Sequence, residues 1–384
     1  MQIGSHLHIA ILKENAPLET RVALMPEAVK TLVGQGMEVF VESGCGERAN
    51  ASDADYISAG AKIGNRDELL ASADLFSTVS CLTAADQNKL KAGATVVGFL
   101  RPLDEPALFQ TAVSRGVTLF SMELVPRITR AQSMDALSSM ATVAGYKAVL
   151  VGADAMPRMF PMLMTAAGTV PPAHVLVLGA GVAGLQAIAT ARRLGAVVEA
   201  YDVRAAAGEQ VKSLGAKFLE IDLGGIETED KGGYAKELTE EALERGRQLI
   251  IKQAKTSDLI ITTALVPGRK APLLIRREAV EGMRAGSVIV DLAAPNGGNC
   301  ELTQPGETIS VNGVTIFAPL NLPAAVPVHA SQLYSRNVAN LLQLLVKNDA
   351  LNLDMNDPII KGSCVAHAGQ VVNERVAAAL QPCA

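Results

Sequence analysis

The 384-residue sequence contains no tryptophan, and aromatic residues make up only 3% of it. It also lacks a basic excess, because 34 lysines and arginines stand against 39 acidic residues and give a net charge of −5. Proteins that bind nucleic acid usually combine basic patches with aromatic side chains that stack on bases. The shortage of both argues against nucleic acid as a ligand, and the net charge argues against acidic lipid.

Disulfide and metal patterns are missing as well. The five cysteines form no Cys-x-x-Cys pair and the five histidines are scattered, so the sequence predicts reduced thiols and no metal site. No signal peptide is visible, and the longest apolar candidate, Met140–Val151, is interrupted by Gly145, Tyr146 and Lys147. We therefore expect a soluble chain with no membrane span of its own.

Apolar residues are abundant, at 49% of the chain against 19% charged residues. This balance is typical of α/β proteins whose parallel sheets are covered on both faces. Short apolar runs alternate with helical patterns, which predicts two doubly wound, Rossmann-like domains with parallel sheets, joined by long helices. The expected first domain is discontinuous, residues 1–137 plus about 327–384, and the expected second domain is residues 138–326.

The sequence pattern predicts individual strands, helices and one loop. In the first series, strands are predicted at His8–Leu12, Glu38–Glu42, Leu75–Val79, Thr95–Leu100 and Thr118–Ser121. In the second, they are predicted at Val175–Leu178, Val197–Tyr201, Lys217–Leu219, Leu259–Thr262, Ser287–Asp291 and Thr315–Phe317. Long helical patterns cover Ala131–Phe160 and Ser331–Val346, and a glycine-rich loop covers Gly224–Tyr234.

One glycine-rich turn follows the predicted strand Val175–Leu178 and precedes a helical pattern. Gly179 permits a tight exit from the strand, Gly181 lets backbone approach a pyrophosphate, and Gly184 allows close packing of helix on strand. The helix N-terminus offers free N–H groups and a positive dipole end. The sequence therefore predicts one dinucleotide site, with contacts from Gly179, Gly181, Val182, Ala183 and Gly184.

The next predicted strand ends near Asp202, whose carboxylate can accept hydrogen bonds from ribose hydroxyls and repel a 2′-phosphate. Arg204 is the one feature that suggests NADP, and we expect its side chain to be solvated or near the pyrophosphate. NAD(H) is the predicted cofactor, with Asp202, Val203 and Arg204 among its contacts. No second glycine fingerprint is present, so the redox partner must be a small substrate or lie on another protein.

Several motifs carry a resemblance to a known family. The opening Lys13-Glu14 and Glu19-Thr-Arg21-Val22-Ala-Leu-Met-Pro26 resembles the signature shared by alanine dehydrogenases and the NAD(H)-binding component of proton-translocating nicotinamide nucleotide transhydrogenase. Further motifs are much closer to the transhydrogenase, namely Pro126–Ser139, Met164–Pro172, Gly232–Lys236, Thr263–Gly268 and Gly297–Cys300. The stretches Met140–Thr142 and Ala324–His329 depart from the family pattern.

The resemblance implies a loop that holds the nicotinamide through Arg127, Gln132, Asp135 and Ser138. A carboxamide needs hydrogen-bonding partners of this kind, and Gln132 would bridge to a second nucleotide. The alternative is that Asp135 and Ser138, three residues apart, only cap the long helix. Further contacts are implied at Tyr234, the tip of a closing loop, and at Thr263, Ala264 and Leu265.

Dehydrogenases of this family carry a lysine and a histidine for the proton transfers of amino-acid oxidation. The corresponding stretches here, Phe76–Leu82 and Val97–Pro102, contain neither residue, although Arg21 is kept. Hydride exchange between two nicotinamides needs proximity, orientation and exclusion of water, but no acid–base pair. The missing residues therefore argue against amino-acid oxidation.

The resemblance thus implies the NAD(H)-binding subunit of a proton-translocating transhydrogenase, which exchanges hydride with NADP(H) on a partner subunit. It implies an NADP(H)-binding subunit, a transmembrane subunit and a second copy in a homodimer as partners, at the cytoplasmic face of the bacterial inner membrane. Two alternatives stay open. One is an amino-acid dehydrogenase that uses relocated groups such as His367 or Lys147, and the other is a non-catalytic NAD(H) sensor.

Overall fold

A computed structural model describes residues 7–221, 239–265, 268–347 and 350–380 of the chain. The chain divides into two compact units, the first of Met1–Met140 with Pro323–Ala384 and the second of Ala141–Leu322. The first boundary falls inside a helix of 20 residues, Ala136–Ala155. The loop predicted over Gly224–Tyr234 lies outside the described residues.

The strands are numbered in chain order. The first unit opens with β1 (His8–Ile11), β2 (Glu38–Glu42), β3 (Lys62–Gly64), β4 (Leu75–Ser77), β5 (Thr95–Gly98) and β6 (Thr118–Ser121). The second unit has β7 (Leu163–Thr165), β8 (Gly168–Val170), β9 (His174–Leu178), β10 (Val197–Tyr201), β11 (Lys217–Phe218), β12 (Leu259–Thr262), β13 (Val288–Asp291), β14 (Thr308–Val311) and β15 (Val314–Phe317). The chain ends in the first unit with β16 (Val346–Lys347), β17 (Ala350–Leu351), β18 (Cys364–His367) and β19 (Gln370–Val371).

The α-helices alternate with these strands. The first unit has α1 (Pro26–Gly34), α2 (Asp53–Ser58), α3 (Arg66–Ser72), α4 (Ala84–Lys89) and α5 (Gln110–Ser114), and α6 (Ala136–Ala155) crosses the boundary. The second unit has α7 (Val182–Arg193), α8 (Ala207–Ser213), α9 (Glu240–Ala254) and α10 (Arg277–Glu281). The last helices are α11 (Pro327–Leu345), α12 (Pro358–Ser363) and α13 (Glu374–Ala379).

The first unit is built on an eight-stranded sheet in the order β19-β18-β6-β5-β4-β1-β2-β3. The strands from β6 to β3 pair in parallel, whereas β18 pairs antiparallel with β6. The central strands β4, β5 and β6 are buried along their whole length. Because both faces of these strands are covered, their sequences show no regular alternation of apolar and polar residues. Strand β18 and the two-residue edge strand β19 were not predicted.

The second unit is built on a seven-stranded sheet in the order β11-β10-β9-β12-β13-β15-β14. All neighbours pair in parallel except β14, which is antiparallel to β15. The order reverses at β9, so the carboxyl ends of β9, β10 and β12 lie side by side. Such a switch point is where open α/β sheets bind ligands. The predicted α/β class with parallel sheets is confirmed.

The long predicted helices differ from the structure at their ends. The pattern over Ala131–Phe160 divides into a 3₁₀ turn, Thr129–Met134, and α6, which ends before Pro157. Proline lacks the N–H that an interior helical residue donates, which explains the stop. The last long helix begins at Pro327 instead of Ser331, because proline is well suited to the first helical position.

Helix α6 is long and apolar enough to cross a membrane by length and composition, contrary to our expectation that no such stretch is present. A core helix passes the same test, and α6 packs closely against neighbouring elements at two glycines. A Cβ added to Gly145 would lie 2.1 Å from the carbonyl oxygen of Ala183, and one added to Gly152 would lie 2.5 Å from the Leu259 side chain. We therefore assign α6 to the α/β layers.

A small hairpin stands apart from both large sheets. Its strands β7 and β8 pair antiparallel with each other and form a two-stranded sheet. Every residue of the two strands is exposed. The exposed fractions of Met162, Met164 and Val170 are 58%, 76% and 40%. This concentration of large apolar side chains in solvent was not predicted from the sequence.

Because Gly145 lies against backbone, we predict that Gly145→Ala lowers the free energy of unfolding by about 1–3 kcal/mol, the usual cost of overpacking. Gly34 in α1 is the matched control, since a Cβ there meets nothing within 4 Å. Gly34→Ala should be neutral or stabilise by roughly 0.5–1 kcal/mol through helix propensity. Urea unfolding followed by circular dichroism measures both, and equal effects would contradict the proposed contact.

Candidate functional site

The glycine-rich turn leaves β9 at the switch point, with β10 on one side and β12 on the other. Gly179 has a φ of +96°, and a Cβ on it would lie 2.6 Å from the hydroxyl oxygen of Thr263. A Cβ on Gly184 would lie 1.8 Å from the carbonyl oxygen of Gly179. Backbone conformation and close packing therefore require glycine at both positions.

Gly181 is different, because a Cβ there would meet no atom within 4 Å. It is the N-cap of α7 and makes no side-chain capping hydrogen bond. The first N–H groups of a helix have no partner within the helix and can bind an anion. The space beside Gly181 lets a phosphate approach these groups, which fits a dinucleotide pyrophosphate. Val182 and Ala183 form the first turn of this helix.

Asp202 follows β10, and its side chain is only 6% exposed. Its carboxylate accepts a hydrogen bond from the backbone N–H of Ala180 at 2.7 Å, which ties it to the glycine turn. It also pairs with the guanidinium of Arg204, through Nε at 2.9 Å and Nη2 at 2.8 Å. The expectation that Arg204 is solvated is therefore corrected, because its side chain is 20% exposed and bound to Asp202. The other expectation, a place near the pyrophosphate, stays a prediction.

The segment after β12 closes the turn from the other side. The Thr263 hydroxyl donates to the carbonyl oxygen of Gly179 at 3.0 Å. Asn299 accepts a hydrogen bond from the N–H of Ala264 at 3.1 Å and donates one to its carbonyl oxygen at 2.9 Å. Asn299 is completely buried, while Leu265 is 40% exposed. The segment is thus held by its backbone, with Leu265 facing solvent.

Asn299 is itself held by Asp291, a completely buried carboxylate at the end of β13. Asp291 accepts hydrogen bonds from two hydroxyls and three backbone N–H groups, those of Thr262, Thr303, Ala293, Asn299 and Cys300. A buried carboxylate is tolerated when hydrogen bonds replace its water shell. Sequence reasoning missed this support, although Asn299 lies in a motif that carried the family resemblance.

The predicted nicotinamide loop lies in the first unit, between β6 and α6. Arg127 and Gln132 are exposed. Asp135 caps α6, because its carboxylate accepts hydrogen bonds from the N–H of Ser138 at 2.9 Å and from its hydroxyl at 2.6 Å. Asp135 and Ser138 therefore make the contacts of a helix cap, and their role toward the nicotinamide stays a prediction. A cap also fixes where the loop ends and the helix begins.

The same loop is braced by later parts of the chain. The carbonyl oxygen of Ser133 accepts hydrogen bonds from Asn337 at 2.9 Å and Asn340 at 3.1 Å, both on α11. Arg130 donates to the Asp357 carboxylate at 2.8 Å, just before α12. These anchors hold the backbone of the loop while its polar side chains stay exposed.

Two carboxylates close the carboxyl edge of the first sheet. Glu14 accepts hydrogen bonds from the backbone N–H groups of Val79 and Ser80, which follow β4. Glu123 accepts hydrogen bonds from the N–H groups of residues 100 and 101, which follow β5. Burial raises the pKa of Glu14 to about 7, although the two N–H groups oppose the shift, and burial also raises the pKa of Glu123. Sequence reasoning identified neither carboxylate as a site residue.

Arg21 lies near these carboxylates, and its guanidinium is already engaged. It donates through Nε and Nη2 to Glu19 at 2.7 and 2.6 Å, and both residues are buried. It also lies over the Phe99 ring, 6.0 Å from the centroid. Glu19 therefore already takes up the Nε and Nη2 donors of Arg21.

The predicted contacts thus fall into two groups. The glycine turn, residues 202–204 and residues 263–265 converge in the second unit, whereas Arg127, Gln132, Asp135 and Ser138 lie in the first. Tyr234 lies outside the described residues. Within the ranges that the structure describes, no three His, Cys, Asp or Glu side chains are grouped to hold a metal ion.

Comparison with known proteins gives a consistent result. The family described as "Alanine dehydrogenase/PNT, N-terminal domain" matches residues 10–144, and its C-terminal domain counterpart matches residues 148–374. The first of the chains that make up the NAD(P) transhydrogenase alpha subunit of Rhodospirillum rubrum is 47% identical over 376 residues, which cover 96% of this chain and 98% of that protein.

A more distant relative is alanine dehydrogenase of Mycobacterium tuberculosis, 30% identical, with 97% of this chain and 96% of that protein covered. Among solved structures, the transhydrogenase of Sinorhizobium meliloti has a TM-score of 0.87 and 44% identity, covering 95% of this chain and 100% of that one. Transhydrogenases are thus more similar to this chain than the dehydrogenase.

The two kinds of glycine in the turn predict different effects of substitution. Gly181→Ala should fold normally but bind NADH about tenfold more weakly, or ~1.4 kcal/mol, because its Cβ occupies the space beside the helix N-terminus. Gly184→Ala should instead lower the thermal midpoint, because its Cβ collides with backbone. Thermal melts and NADH fluorescence titration separate these effects. Unchanged NADH affinity in stable Gly181→Ala would refute the assigned phosphate approach.

The raised pKa of Glu14 predicts a pH effect on stability. Folded Glu14 holds its proton up to about pH 7, whereas the unfolded carboxyl has a pKa of 4.5, so the native state binds more protons between these values. Its contribution to stability is present below pH 4.5 and is lost as the pH rises through 7. The slope of unfolding free energy between pH 5 and about 7 should be smaller in Glu14→Gln, and an identical slope would contradict the shift.

Proposed function

The chain belongs to the alanine dehydrogenase/PNT family. It is the NAD(H)-binding component of an NAD(P) transhydrogenase, and we propose which residues bind the nucleotide. It exchanges hydride between NAD(H) bound here and NADP(H) on a partner subunit. The observation that carries this function is one dinucleotide turn at a sheet switch point, in a chain without the lysine and histidine of the dehydrogenases.

The second unit fits NAD(H) at the turn. The pyrophosphate would lie beside Gly181 at the N-terminus of α7, where the missing Cβ leaves space. Asp202 would accept the adenosine ribose hydroxyls, because its carboxylate lies at the end of the neighbouring strand. The Thr263–Leu265 segment would border the dinucleotide at the end of β12.

The loop of the first unit would supply the contacts to the nicotinamide. Arg127, Asp135 and Ser138 offer a guanidinium, a carboxylate and a hydroxyl as partners for the carboxamide. Gln132, exposed on the same loop, would contact the second nucleotide. The hydrogen bonds from Asn337 and Asn340 to this loop support the proposal, since a positioned ring needs a fixed loop backbone.

The bound nicotinamide itself supplies the chemistry, because its ring donates or accepts the hydride. The protein must therefore orient a ring and exclude water, and it needs no proton acceptor at a substrate atom. The side chains of the loop can orient by hydrogen bonding. We propose Tyr234 as a further contact of the nucleotide.

An amino-acid dehydrogenase with relocated groups is the second candidate. His367 is one such group, but its Nδ1 is hydrogen-bonded to Thr118 at 3.0 Å. Glu14 has the pKa of a useful general acid, yet both its oxygens accept backbone hydrogen bonds. Arg21 is occupied by Glu19. These contacts favour the transhydrogenase over amino-acid oxidation.

The relatives named as alpha subunits imply that partner subunits exist. We propose that the partners are an NADP(H)-binding subunit and a transmembrane subunit. We further propose that the chain works at the cytoplasmic face of the bacterial inner membrane, attached through them. Passing hydride between subunits requires both nucleotide sites to lie against one interface.

A second copy of the chain is the remaining proposed partner. The hairpin β7–β8 supports it, because Met162, Met164 and Val170 are all exposed. Exposed patches of large apolar side chains mark interaction surfaces. We propose that the hairpin of each copy packs against the other copy and thereby forms the homodimer.

We predict that replacing Met162 and Met164 together by aspartate produces monomers, because two charges would have to be buried in the dimer contact. Sedimentation equilibrium measures the change. The control is Ile57→Asp, which replaces an exposed apolar residue, 58% exposed, on α2 of the first unit and should leave the dimer intact. A dimer that survives both hairpin substitutions would contradict the proposal.

The functional test mixes the purified chain with the NADP(H)-binding subunit of a transhydrogenase and follows hydride transfer from NADH to an NADP analogue of shifted absorbance. We expect transfer only in the mixture, and no NADH from L-alanine and NAD⁺ with the chain alone. Alanine-dependent NADH would instead establish the dehydrogenase. NADH binding without transfer in the mixture would leave the sensor.

Gln132→Asn tests the assigned loop in the same assay. It shortens the contact to the second nucleotide, so the transfer rate should fall by about tenfold while NADH affinity stays nearly unchanged. Ser133→Ala is a neighbouring control, because Ser133 contributes its backbone carbonyl to the loop anchors. A collapse of NADH affinity in Gln132→Asn would refute the assigned role.

A further inference from the structure

The Asp202 carboxylate is saturated with hydrogen bonds. One oxygen accepts from the backbone N–H of Arg204 at 2.8 Å and its Nε at 2.9 Å. The other accepts from the N–H of Ala180 at 2.7 Å and the Arg204 Nη2 at 2.8 Å. A carboxylate offers about four lone-pair positions. No acceptor position is left for ribose hydroxyls in this arrangement.

The four donors differ in how readily they can be replaced. The two backbone N–H groups belong to the glycine turn and to the end of β10, so moving them would disturb the fold of the site. The guanidinium stands at the end of a flexible, partly exposed side chain. Ribose hydroxyls must therefore take the positions of Nε and Nη2, and the guanidinium must turn aside.

A guanidinium fork binds a phosphate as well as it binds a carboxylate. A 2′-phosphate on the adenosine ribose would arrive at the same place as the ribose hydroxyls. Arg204 is thus the natural partner for that phosphate, unless another anion holds it first. Asp202 is that anion, and from two residues away it competes at a high effective concentration.

We propose that the Asp202–Arg204 pair sets the selectivity for NAD(H), because Asp202 withholds the Arg204 guanidinium from the 2′-phosphate of a phosphorylated dinucleotide. This inference rests on the proposed NAD(H) site at the glycine turn. Asp202 then has two effects, accepting the ribose hydroxyls and restraining Arg204. If Asp202 acted by charge repulsion alone, Arg204 would not affect selectivity. The two explanations therefore predict different NADPH affinities for a variant in which both residues are replaced.

The test titrates NADH and NADPH into the 384-residue chain and follows nucleotide fluorescence. Asp202→Asn removes the charge with little change of shape, so NADH should bind about tenfold more weakly and NADPH about tenfold more tightly than in the wild type. Adding Arg204→Met should abolish the gain in NADPH affinity. A gain that persists in the double variant means simple repulsion and overturns the inference.

Arg204→Met alone provides the matched control. It leaves the Asp202 charge in place, so NADPH should stay weakly bound, while NADH affinity should rise because no guanidinium has to be displaced. A tenfold loss of NADH affinity would show that Arg204 holds the nucleotide and would overturn the inference. Asp202→Ser, with a smaller neutral side chain, replaces Asp202→Asn if thermal melts show that the asparagine variant is unfolded.

Wild-type titration separates this inference from the proposed function. A wild type that binds no NADH would refute the proposed function and the inference together. A wild type that binds NADH, combined with an Asp202→Asn variant that gains no NADPH affinity, would refute the inference and leave the proposed function intact.

Discussion

The close approach of backbone to backbone at the end of β9 is the constraint on which the second unit depends. Gly184 leaves room for the Gly179 carbonyl, and Gly145 of α6 leaves room for the Ala183 carbonyl. Thr263 then donates a hydrogen bond to the Gly179 oxygen. These contacts join α6, α7 and the ends of β9 and β12. A methyl group on Gly145 or Gly184 would force the neighbouring backbone away. This packing places the N-terminus of α7, the proposed anion-binding end, at the switch point of the sheet.

The two units share a strand order but use the corresponding sheet edge differently. In the second unit, glycines leave the end of β9 open to a ligand. In the first, Glu14 and Glu123 reach the backbone N–H groups after β4 and β5. Those strand ends are therefore bound by the chain's own carboxylates, and Arg21 is likewise bound by Glu19. One fold thus yields an open edge in one unit and a closed edge in the other.

Sequence periodicity predicted most central strands because they are buried on both faces, and β2, β6, β10 and β12 agree with the structure to the residue. It missed β3, β14, the hairpin and the strands from β16 to β19. The pairing of β18 depends on a partner distant in sequence, and the hairpin consists of exposed residues that carry no alternation. The glycine turn could be predicted, since the backbone conformation and close packing that require glycine involve residues near one another in the sequence. The pairing of Arg204 with Asp202 was not, because side-chain choice between solvent and a neighbouring carboxylate leaves no sequence pattern.

The buried carboxylate of Asp291 links residues that a genetic screen would treat as unrelated. It holds Asn299, and Asn299 holds both backbone groups of Ala264 beside the glycine turn. Loss-of-function alleles at positions 291, 299 and 303 would therefore cluster with alleles of the nucleotide site itself. The effect of a substitution at these positions therefore depends on the hydrogen bonds that it breaks and not on its distance from the cofactor.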